Sequence, residues 1–261
     1  MAKLGELSVG SIVKANVDGT PKNFIVVHQG LPSSDYDSSC NGTWLLMEDI
    51  YEERRFHEIS NDYENSEIHT YLNDTFFNLF DEDIKSLIKQ VKLPYTKGEG
   101  LNGVVSQGAS GISAKVFFLS CSELQAIDTY SNVEGDVLSY FDGVDKTKKV
   151  AKFDGTKTAW WTRSTANHNT RSIHLITTGG VSAISTVYST KGVRPALVLD
   201  QSLSVDDSGM IVASSLAIRG GVIIDGSRKE LTEGYVNIGG VWKPVVESYV
   251  NIGGVWKPSH E

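Results

Sequence analysis

The sequence predicts an α+β fold, in which two amphipathic helices accompany antiparallel strands and short β-hairpins follow at the C-terminal end. Asp18-Gly19 separates two strand-like segments, and this dipeptide favours the tight turn of a hairpin. Between residues 65 and 91 the apolar residues recur about every 3.6 positions, which indicates helix. The decapeptide YVNIGGVWKP occurs twice, at residues 235–244 and 249–258.

Length, composition and charge exclude several classes of protein. The 261 residues can bury one large core with an appendage, and an apolar fraction of 40% is ordinary for a globular protein. The formal charge of −8 is spread along the chain without a basic stripe, so no nucleic-acid partner is expected. No segment has the about 18 apolar residues that cross a membrane, and the first residues lack the apolar core of a secretion signal. We therefore expect synthesis in a cytoplasm without membrane insertion.

The remaining elements follow from local patterns. Alternating or continuous apolar segments predict strands at residues 11–17, 23–27, 44–47 and 115–120. The periodic segment divides near Asp81, whose side chain can cap the second helix. Ser122 can cap a further short helix at 122–130. Residues 98–111 are rich in Gly and Ser, so they are expected to form a long loop.

The chain is expected to divide into three parts. Residues 1–200 form the main domain, and residues 201–230 form a Gly-rich connector with small β elements. Residues 231–261 hold the tandem repeats, whose spacing is shorter than that of the usual solenoids and propellers. The repeats therefore read as an attachment to the main domain rather than as a repeat fold.

Each repeat is expected to form a hairpin around its Gly-Gly pair, with Ile238 opposite Val241 in the first copy. Isolated hairpins are marginal in water, and these would expose large apolar side chains. They either pack onto their own chain or dock on another copy or a larger particle. We favour docking, which predicts a homo-oligomer or an attached subunit. The docking residues would be Tyr235, Trp242, Tyr249 and Trp256.

The sequence carries no catalytic or metal-binding motif. The six histidines do not have the spacing of zinc ligands. Residues 35–42 begin like a calcium loop, but Cys40 stands where an EF-hand needs Gly and Leu46 where it needs Glu. Cys40 and Cys121 are far apart in sequence, and whether they pair is left open. We expect no enzymatic activity, no cofactor and no metal.

Residues 160–199 have a distinctive composition. Trp160 and Trp161 open this segment, and the apolar residues 192–199 close it around Pro195. Between these anchors the chain is rich in Ser, Thr, Asn, Gly and Tyr, which is the composition of antibody recognition loops on a rigid frame.

The pattern WWxRS, followed after about thirty residues by GVRPAL, resembles the C-type-lectin-like variable proteins of diversity-generating retroelements. Those proteins are related in fold to the formylglycine-generating enzymes. The segments LSVGSIVK, FIVVHQGLPSSxYDxSCNGTWLL and NDYENSxIHxYLNxTFxNLF also look like a domain of unknown function that is common in gut bacteria and their phages. The resemblance covers roughly residues 4–200. It implies a C-type-lectin-like domain and a role in display.

The chain also departs from those families. Thr162 and Thr165 replace the usual Leu and Pro of WWLRSP, and the calcium-dependent sugar-binding triplets of true lectins are absent. The catalytic cysteine pair of the formylglycine-generating enzymes has no counterpart near GVRPAL, so that activity is not carried over. Arg194 is expected to form a structural ion pair.

By this resemblance the ligand contacts are the polar positions between the anchors. An ordinary solvated loop is the alternative for each of them. The predicted contacts are Thr162, Thr165, Asn167, His168, Asn169, Thr170, Arg171, His174, Thr177, Ser182, Ser185, Thr186, Tyr188 and Thr190.

With this resemblance, we expect a phage virion protein that displays a binding surface and binds a host-surface or mucosal ligand, a protein or a glycan, noncovalently. The C-terminal repeats would attach it to other virion proteins or to its own copies. One alternative is a purely structural capsid-decoration or tail component without an external ligand. A second is an enzyme of the formylglycine-generating branch, for which turnover would depend on Cys121.

Overall fold

The fold is given by a computed structural model, which describes residues 2–98, 103–143 and 145–212 and, beyond them, the backbone of six strands. The chain divides into two compact units, Met1–Ile211 and Val212–Glu261. The first unit includes residues after Asp200, because strands at 204–205 and 211–212 join a small sheet with the N-terminal strand. The predicted division at residues 200 and 230 stays a prediction.

Strands are the main regular structure of both units. In the first unit they are β1 Ala2–Lys3, β2 Ile12–Val17, β3 Thr20–Gly30, β4 Gly42–Met47, β5 Glu52–Arg55, β6 Val91–Leu93, β7 Tyr95–Thr96, β8 Val105–Ser106, β9 Ile112–Ala114, β10 Val116–Phe117, β11 Ala151–Phe153, β12 Thr156–Thr158, β13 Trp160–Thr165, β14 Ser172–Ile176, β15 Ser182–Thr186, β16 Thr190–Val193, β17 Ala196–Leu199, β18 Ser204–Val205 and β19 Ile211–Val212. In the second unit they are β20 Gly221–Ile224, β21 Ser227–Glu230, β22 Tyr235–Ile238, β23 Val241–Pro244, β24 Tyr249–Ile252 and β25 Val255–Pro258.

Helical structure is short. The α-helix α1, Glu67–Tyr71, continues through π-helical turns at Leu72–Phe76 into 3-10 turns at Phe77–Leu79, and α2 spans Glu82–Leu87. Further 3-10 turns lie at Leu4–Glu6, Ser38–Cys40, Ser139–Phe141 and Lys146–Lys149. The segment predicted as a helix at 122–130 forms turns instead, and Ser122 Oγ accepts a hydrogen bond from the Glu134 N–H.

The predicted fold class is wrong. The chain is 39% strand and 16% helical, with one substantial helix of 13 residues and several small sheets, so it is not a two-helix α+β, C-type-lectin-like domain. The periodic apolar residues beyond Leu87 show the reason. Ile88 leaves the helix with extended backbone and bridges Leu199, and β6 then pairs with β9. Sheet pairing with distant residues thus overrides the local helical pattern.

The first large sheet has the strand order β10-β17-β4-β3-β2. β2 and β3 form the predicted hairpin, with Val17 opposite Thr20 and positive φ at Asp18 and Gly19. All six residues of β4 are buried, because the sheet is covered on both faces. Trp44 lies at the centre of this core, with edge-to-face contacts at 5.5 Å to Tyr36 and to Phe117, and its Nε1 donates to the Cys40 carbonyl at 2.9 Å.

The second large sheet has the strand order β15-β14-β13-β16-β5 and carries the segment that the sequence singles out. β13 is central and wholly buried, and its Trp160 and Trp161 are both fully buried, one on each face of the sheet. β16 runs parallel to β13, and the chain then passes into β17 of the first sheet. The two sheets are therefore covalently joined at Arg194-Pro195.

Arg194 stabilises this junction. Its buried guanidinium donates to the carbonyls of Met47 and Glu48, each at 2.9 Å, and lies 4.8 Å from the centre of the Trp160 ring. Burial lowers its pKa to about 10. The expectation of an ion pair is wrong, because carbonyl oxygens take the place of a carboxylate among the described residues.

The repeats form two hairpins of identical register in the second unit. Tyr235 pairs with Pro244 and Ile238 with Val241, and β24 pairs with β25 in the same way. The Gly-Gly turns, and the side chains of Tyr235, Trp242, Tyr249 and Trp256, lie outside the described residues. Their role in docking stays a prediction. None of the helices in the described part of the chain has the length and hydropathy that a membrane crossing requires.

Trp44→Ala tests the assignment of the first core. We expect the free energy of unfolding to fall by about 3–5 kcal/mol, because a fully buried indole and its hydrogen bond are lost. Leu31→Ala is the control, since Leu31 is 39% exposed and its truncation should change stability by less than about 0.5 kcal/mol. Urea denaturation followed by tryptophan fluorescence and circular dichroism gives both values. Equal effects of the two substitutions would contradict this core.

Candidate functional site

The predicted contact residues fall into buried and accessible groups. Thr162, Thr165 and His174 are buried. The accessible residues are Asn167, His168, Asn169, Thr170, Arg171, Thr177, Ser182, Ser185, Thr186, Tyr188 and Thr190. The buried residues lie on β13 and β14, which are interior strands with no solvent-facing side. The prediction that Thr162, Thr165 and His174 lie on the surface is therefore wrong. The polarity of a residue does not by itself show whether its strand is covered on both faces.

Thr162 and His174 instead join neighbouring strands. The Thr162 hydroxyl donates to the His174 carbonyl at 2.8 Å. The His174 ring lies between Ser182 on β15 and the loop of residues 128–131. Its Nδ1 is 3.1 Å from Ser182 Oγ, and its Nε2 is 3.2 Å from the Tyr130 carbonyl. Burial lowers the pKa of His174, so the ring is neutral near pH 7.

The residue after Thr162 on β13 takes part in a buried ion pair. Arg163 on β13 forms a two-point contact with Glu123, in which both N–O distances are 2.6 Å and both side chains are fully buried. The remaining guanidinium hydrogens reach the carbonyls of Phe118 at 2.9 Å and Pro94 at 3.1 Å. Every charged edge of the Arg163 side chain is thus hydrogen-bonded, which a buried ion pair requires to offset its desolvation.

The Glu123 carboxylate is also fully satisfied. The Tyr36 hydroxyl donates to Oε1 at 2.9 Å, and the Ser120 N–H donates to Oε2 at 2.8 Å. Gly135 makes room for Tyr36, since a Cβ at this position would lie 2.1 Å from the Tyr36 hydroxyl and φ is +88°. Burial, followed by the Glu123 charge, raises the pKa of Tyr36, so the phenol keeps its proton.

A second buried acid, Glu134, binds the same frame. It accepts hydrogen bonds from the Thr96 N–H at 2.7 Å and from Ser164 Oγ at 2.5 Å. Burial raises the pKa of Glu134, against the opposing effect of Arg163. Arg163, Glu123 and Glu134 were not among the residues predicted from the sequence. The sequence did contain one indication of this ion pair, because Arg163 is a charged residue in the middle of the strand WWTRST.

Neither the two cysteines nor His174 has the geometry of a known nucleophile or catalytic triad. Cys40 and Cys121 are unpaired, buried thiols, and burial raises the pKa of each to about 12, so neither is a thiolate nucleophile near pH 7. Ser182 and Asp128 both approach the same nitrogen of His174, at 3.1 and 3.6 Å. A Ser-His-Asp relay needs them on opposite nitrogens. Within the described residues, no group of three acidic, His or Cys side chains could hold a metal ion.

The accessible loop at 167–171 lies against a second loop. The Asn167 N–H donates to the Tyr130 carbonyl at 2.9 Å, and the rings of Tyr130 and His168 are 4.6 Å apart. Tyr130 is 46% exposed. Tyr130 was not predicted as a contact residue, because it lies at least thirty residues before the predicted segment and only tertiary packing brings the two together.

The same surface continues to a polar groove. The Val187 N–H donates to the Arg171 carbonyl at 3.0 Å, which places Tyr188 next to the 167–171 loop. Tyr188 is 60% exposed and, with Thr190, lines a cleft of about 440 Å³. The other side of the cleft is formed by β5 and the start of α1, through Glu52, Glu53, Arg54, Arg55, Glu67 and Ile68.

Most charges in the cleft are paired with one another. Arg55 binds Glu67 through two contacts, at 2.8 and 3.2 Å, and Arg54 binds Glu52 while stacking 4.0 Å from the centre of the Tyr71 ring. The cleft therefore offers fixed hydrogen-bonding groups beside an exposed aromatic ring. We call this area the recognition surface and define it by Tyr130, Asn167, His168, Asn169, Thr170, Arg171, Tyr188 and Thr190.

Glu123→Gln tests the buried ion pair. The substitution removes the carboxylate that pairs with Arg163 at two points inside the protein, so we expect a loss of about 3–5 kcal/mol in the free energy of unfolding. The control is Glu82→Gln, which removes an exposed ion pair with Lys85 and should leave the unfolding transition in place. Chemical denaturation measures both. If the Glu123→Gln protein is as stable as the wild type, the hydrogen bonds from Arg163 to backbone carbonyls are sufficient to stabilise its buried charge.

Protonation of His174 should make the fold sensitive to acid. Its pKa is lower in the folded than in the unfolded chain, so the unfolded chain takes up the proton first as the pH falls below about 6.5. The neutral ring therefore makes its whole contribution to the free energy of unfolding above that pH, and this contribution decreases as the pH falls below it. We expect Tm to fall between pH 7 and 5, and to fall less steeply in His174→Gln. His28 and His69, whose pKa burial also lowers, leave part of the slope in the variant. Parallel Tm curves would rule out this role.

Comparison with known proteins gives one family. The sequence pattern of the family described as "Domain of unknown function (DUF6273)" matches residues 41–201, which include β4 to β17, the buried ion pair and the whole recognition surface. No curated protein matches significantly, and neither does any solved structure. Because the match covers more than half of the chain, the protein belongs to the DUF6273 family.

Proposed function

We propose that this chain is a noncovalent binding protein, displayed on a phage virion, whose recognition surface binds a host-surface protein or glycan. The observation that carries the proposal is the contrast between the recognition surface and its support. Accessible polar and aromatic side chains project from loops between strands of one sheet. The loop at 167–171 joins the wholly buried β13 and β14, and Tyr188, which is 60% exposed, lies between β15 and β16. Binding sites commonly combine variable loops with such a rigid frame.

The chemistry of the cleft favours a polar ligand. Its walls carry carboxylates and guanidinium groups that already hold one another in place, so they need little reordering when a ligand arrives. An exposed tyrosine beside them supplies a rigid contact with few rotatable bonds. Sugar hydroxyls above an apolar ring face, or a polar peptide loop with one aromatic neighbour, both match this arrangement.

Placement on a virion is supported only by the resemblance of the sequence motifs to the variable proteins of diversity-generating retroelements and to a domain common in gut bacteria and their phages. A purely structural virion component is the rival. It leaves the exposed Tyr188 ring unexplained, because a particle subunit without an external ligand needs no exposed aromatic ring. The enzymatic alternative gains no support from Cys121, whose buried thiol lies 3.8 Å from Thr162 Oγ1 and 3.9 Å from Ser182 Oγ and has a raised pKa.

Tyr188→Ala tests the proposal. We expect the wild-type chain, immobilised on a sensor, to bind at least one member of a panel of purified bacterial surface polysaccharides, mucin glycans and outer-surface proteins. Tyr188→Ala should weaken that binding about tenfold or more, because the aromatic contact at the cleft is lost. Ile12→Ala is the control, since Ile12 is 43% exposed but lies on β2 of the other sheet.

His168→Ala extends the test to the other end of the recognition surface and should also weaken binding. If both variants bind as tightly as the wild type, the ligand does not use this surface. If the wild type binds no member of the panel while the particle assembles normally with either variant, the structural rival is favoured.

A further inference from the structure

One edge of the second large sheet is open. β15 lies at the end of the strand order and pairs with β14 through five consecutive residues, from Ser172 opposite Thr186 to Ile176 opposite Ser182. The register is continuous, without a bulge. All five residues of β15 are half-buried. Among the described strands, none covers the outer side of β15.

The hydrogen bonds show which backbone groups face outward. The Thr177 N–H donates to the Val181 carbonyl at 2.9 Å, and the Val187 N–H donates to the Arg171 carbonyl at 3.0 Å. Bonded and non-bonded pairs alternate along an antiparallel ladder, so the odd-numbered residues of this strand bond to β14. Ser182, Ile184 and Thr186 therefore direct their N–H and C=O groups away from the sheet.

Most of these outward groups have no partner in the described part of the chain. The Thr186 carbonyl accepts a hydrogen bond from the Ser189 N–H at 3.0 Å. The N–H and C=O groups of Ser182 and Ile184, and the N–H of Thr186, make no hydrogen bond to another described residue. Such a row of donors and acceptors is a template for an added strand.

The two edges of this sheet differ in how they are protected. β5, at the opposite edge, has the sequence EERR, and charged side chains of this kind prevent edge-to-edge pairing. β15 has the sequence SAIST, with no charge, no proline and a central β-branched residue. Only one edge of the sheet therefore lacks the usual protection.

We propose that β15 pairs in antiparallel orientation with β15 of a second copy of this chain, about a two-fold axis at Ile184. The outward residues 182, 184 and 186 are spaced symmetrically about Ile184, so that each N–H meets a C=O of the other copy. Ile184 faces its own equivalent, and Ser182 faces Thr186. The uncharged sequence brings no like charges together, and a self-complementary contact closes after two copies.

A second copy satisfies this edge better than an unrelated strand does. The same five residues supply both sides of the contact. The residues on either side of the central isoleucine are small, so they leave room for the strand of the second copy. The dimer would join the two sheets into one and carry two recognition surfaces, which raises avidity for a multivalent surface. It also assigns Ser182, Ser185 and Thr186, three of the predicted ligand contacts, to an interface between copies.

Cysteine cross-linking of the full chain tests both the pairing and its register. In Ile184→Cys the two copies place their Cα atoms about 5.5 Å apart, as in a bonded antiparallel pair, which is within the range that a disulfide spans. We expect mild oxidation to yield a disulfide-linked species of twice the 28.5 kDa chain mass on a non-reducing gel. The native cysteines are buried and unpaired, so the wild type should give no such species.

Matched controls lie on the same strand. In Ser182→Cys alone, or Thr186→Cys alone, the equivalent residues of the two copies are more than about 13 Å apart, so neither variant should cross-link by itself. A mixture of these two variants should cross-link, because residue 182 faces residue 186. Cross-linking of Ser182→Cys alone as efficient as that of Ile184→Cys, or none in Ile184→Cys, overturns the proposal.

The mass in solution gives a second, independent test. Light scattering on the wild type should give a dimer, and Ile184→Pro should give a monomer with an unchanged circular dichroism spectrum, because the lost N–H makes no bond within the chain. Ile184→Lys, which sets two like charges against each other, provides the same test should the proline variant fail to fold. A monomeric wild type overturns the proposal. Variants that stay dimeric overturn it as well and point to the C-terminal hairpins as the contact.

Discussion

Arg163 and Glu123 form an ion pair that is fully buried inside the first unit. Much of the surrounding structure supplies the hydrogen bonds that offset the desolvation of these two charges. Each group has lost its hydration, which costs several kcal/mol per ion in a protein interior. The loss is offset by two direct contacts at 2.6 Å and by hydrogen bonds to Pro94, Phe118 and Tyr36. These partners come from segments that are distant in sequence, so the pair can be satisfied only when the whole unit is assembled.

This constraint explains why the recognition surface has a rigid base. β13 contributes Arg163, and β14 and β16 flank it on either side. The loop at 167–171 joins β13 to β14, and residues 187–189 join β15 to β16. The loop at 128–131 contacts the neutral His174 ring. Side chains such as Tyr188 and His168 therefore project from segments that are anchored in this sheet, which would lower the entropy lost on binding of the proposed ligand.

The two edges of the same sheet differ in their chemistry. The β5 edge is charged, and its ion pairs form one wall of the cleft. The β15 edge is uncharged and leaves backbone donors and acceptors free within the described part of the chain. Ligand contact at one edge and self-association at the other would allow a dimer to present two clefts, since neither edge has to carry out both functions.

The sequence by itself determined the local features of this protein. Asp18-Gly19 gave the first hairpin and its register, the apolar run at 44–47 gave a buried strand, and the repeats gave two hairpins of identical pairing, because a turn and alternation act over a few residues. Composition also indicated a polar region between residues 160 and 199, although it did not separate the loops of this region from its strands.

Only the tertiary structure decided the fold class and the composition of the site. The helical period at 65–91 gave one substantial helix, because residues 88–93 pair with strands that are distant in sequence. Thr162, Thr165 and His174 are buried, while Tyr130, Glu53 and Glu67 join the surface or its cleft. Whether a polar residue faces water depends on what covers its strand, and the energy that decides this comes from contacts between residues far apart in the chain.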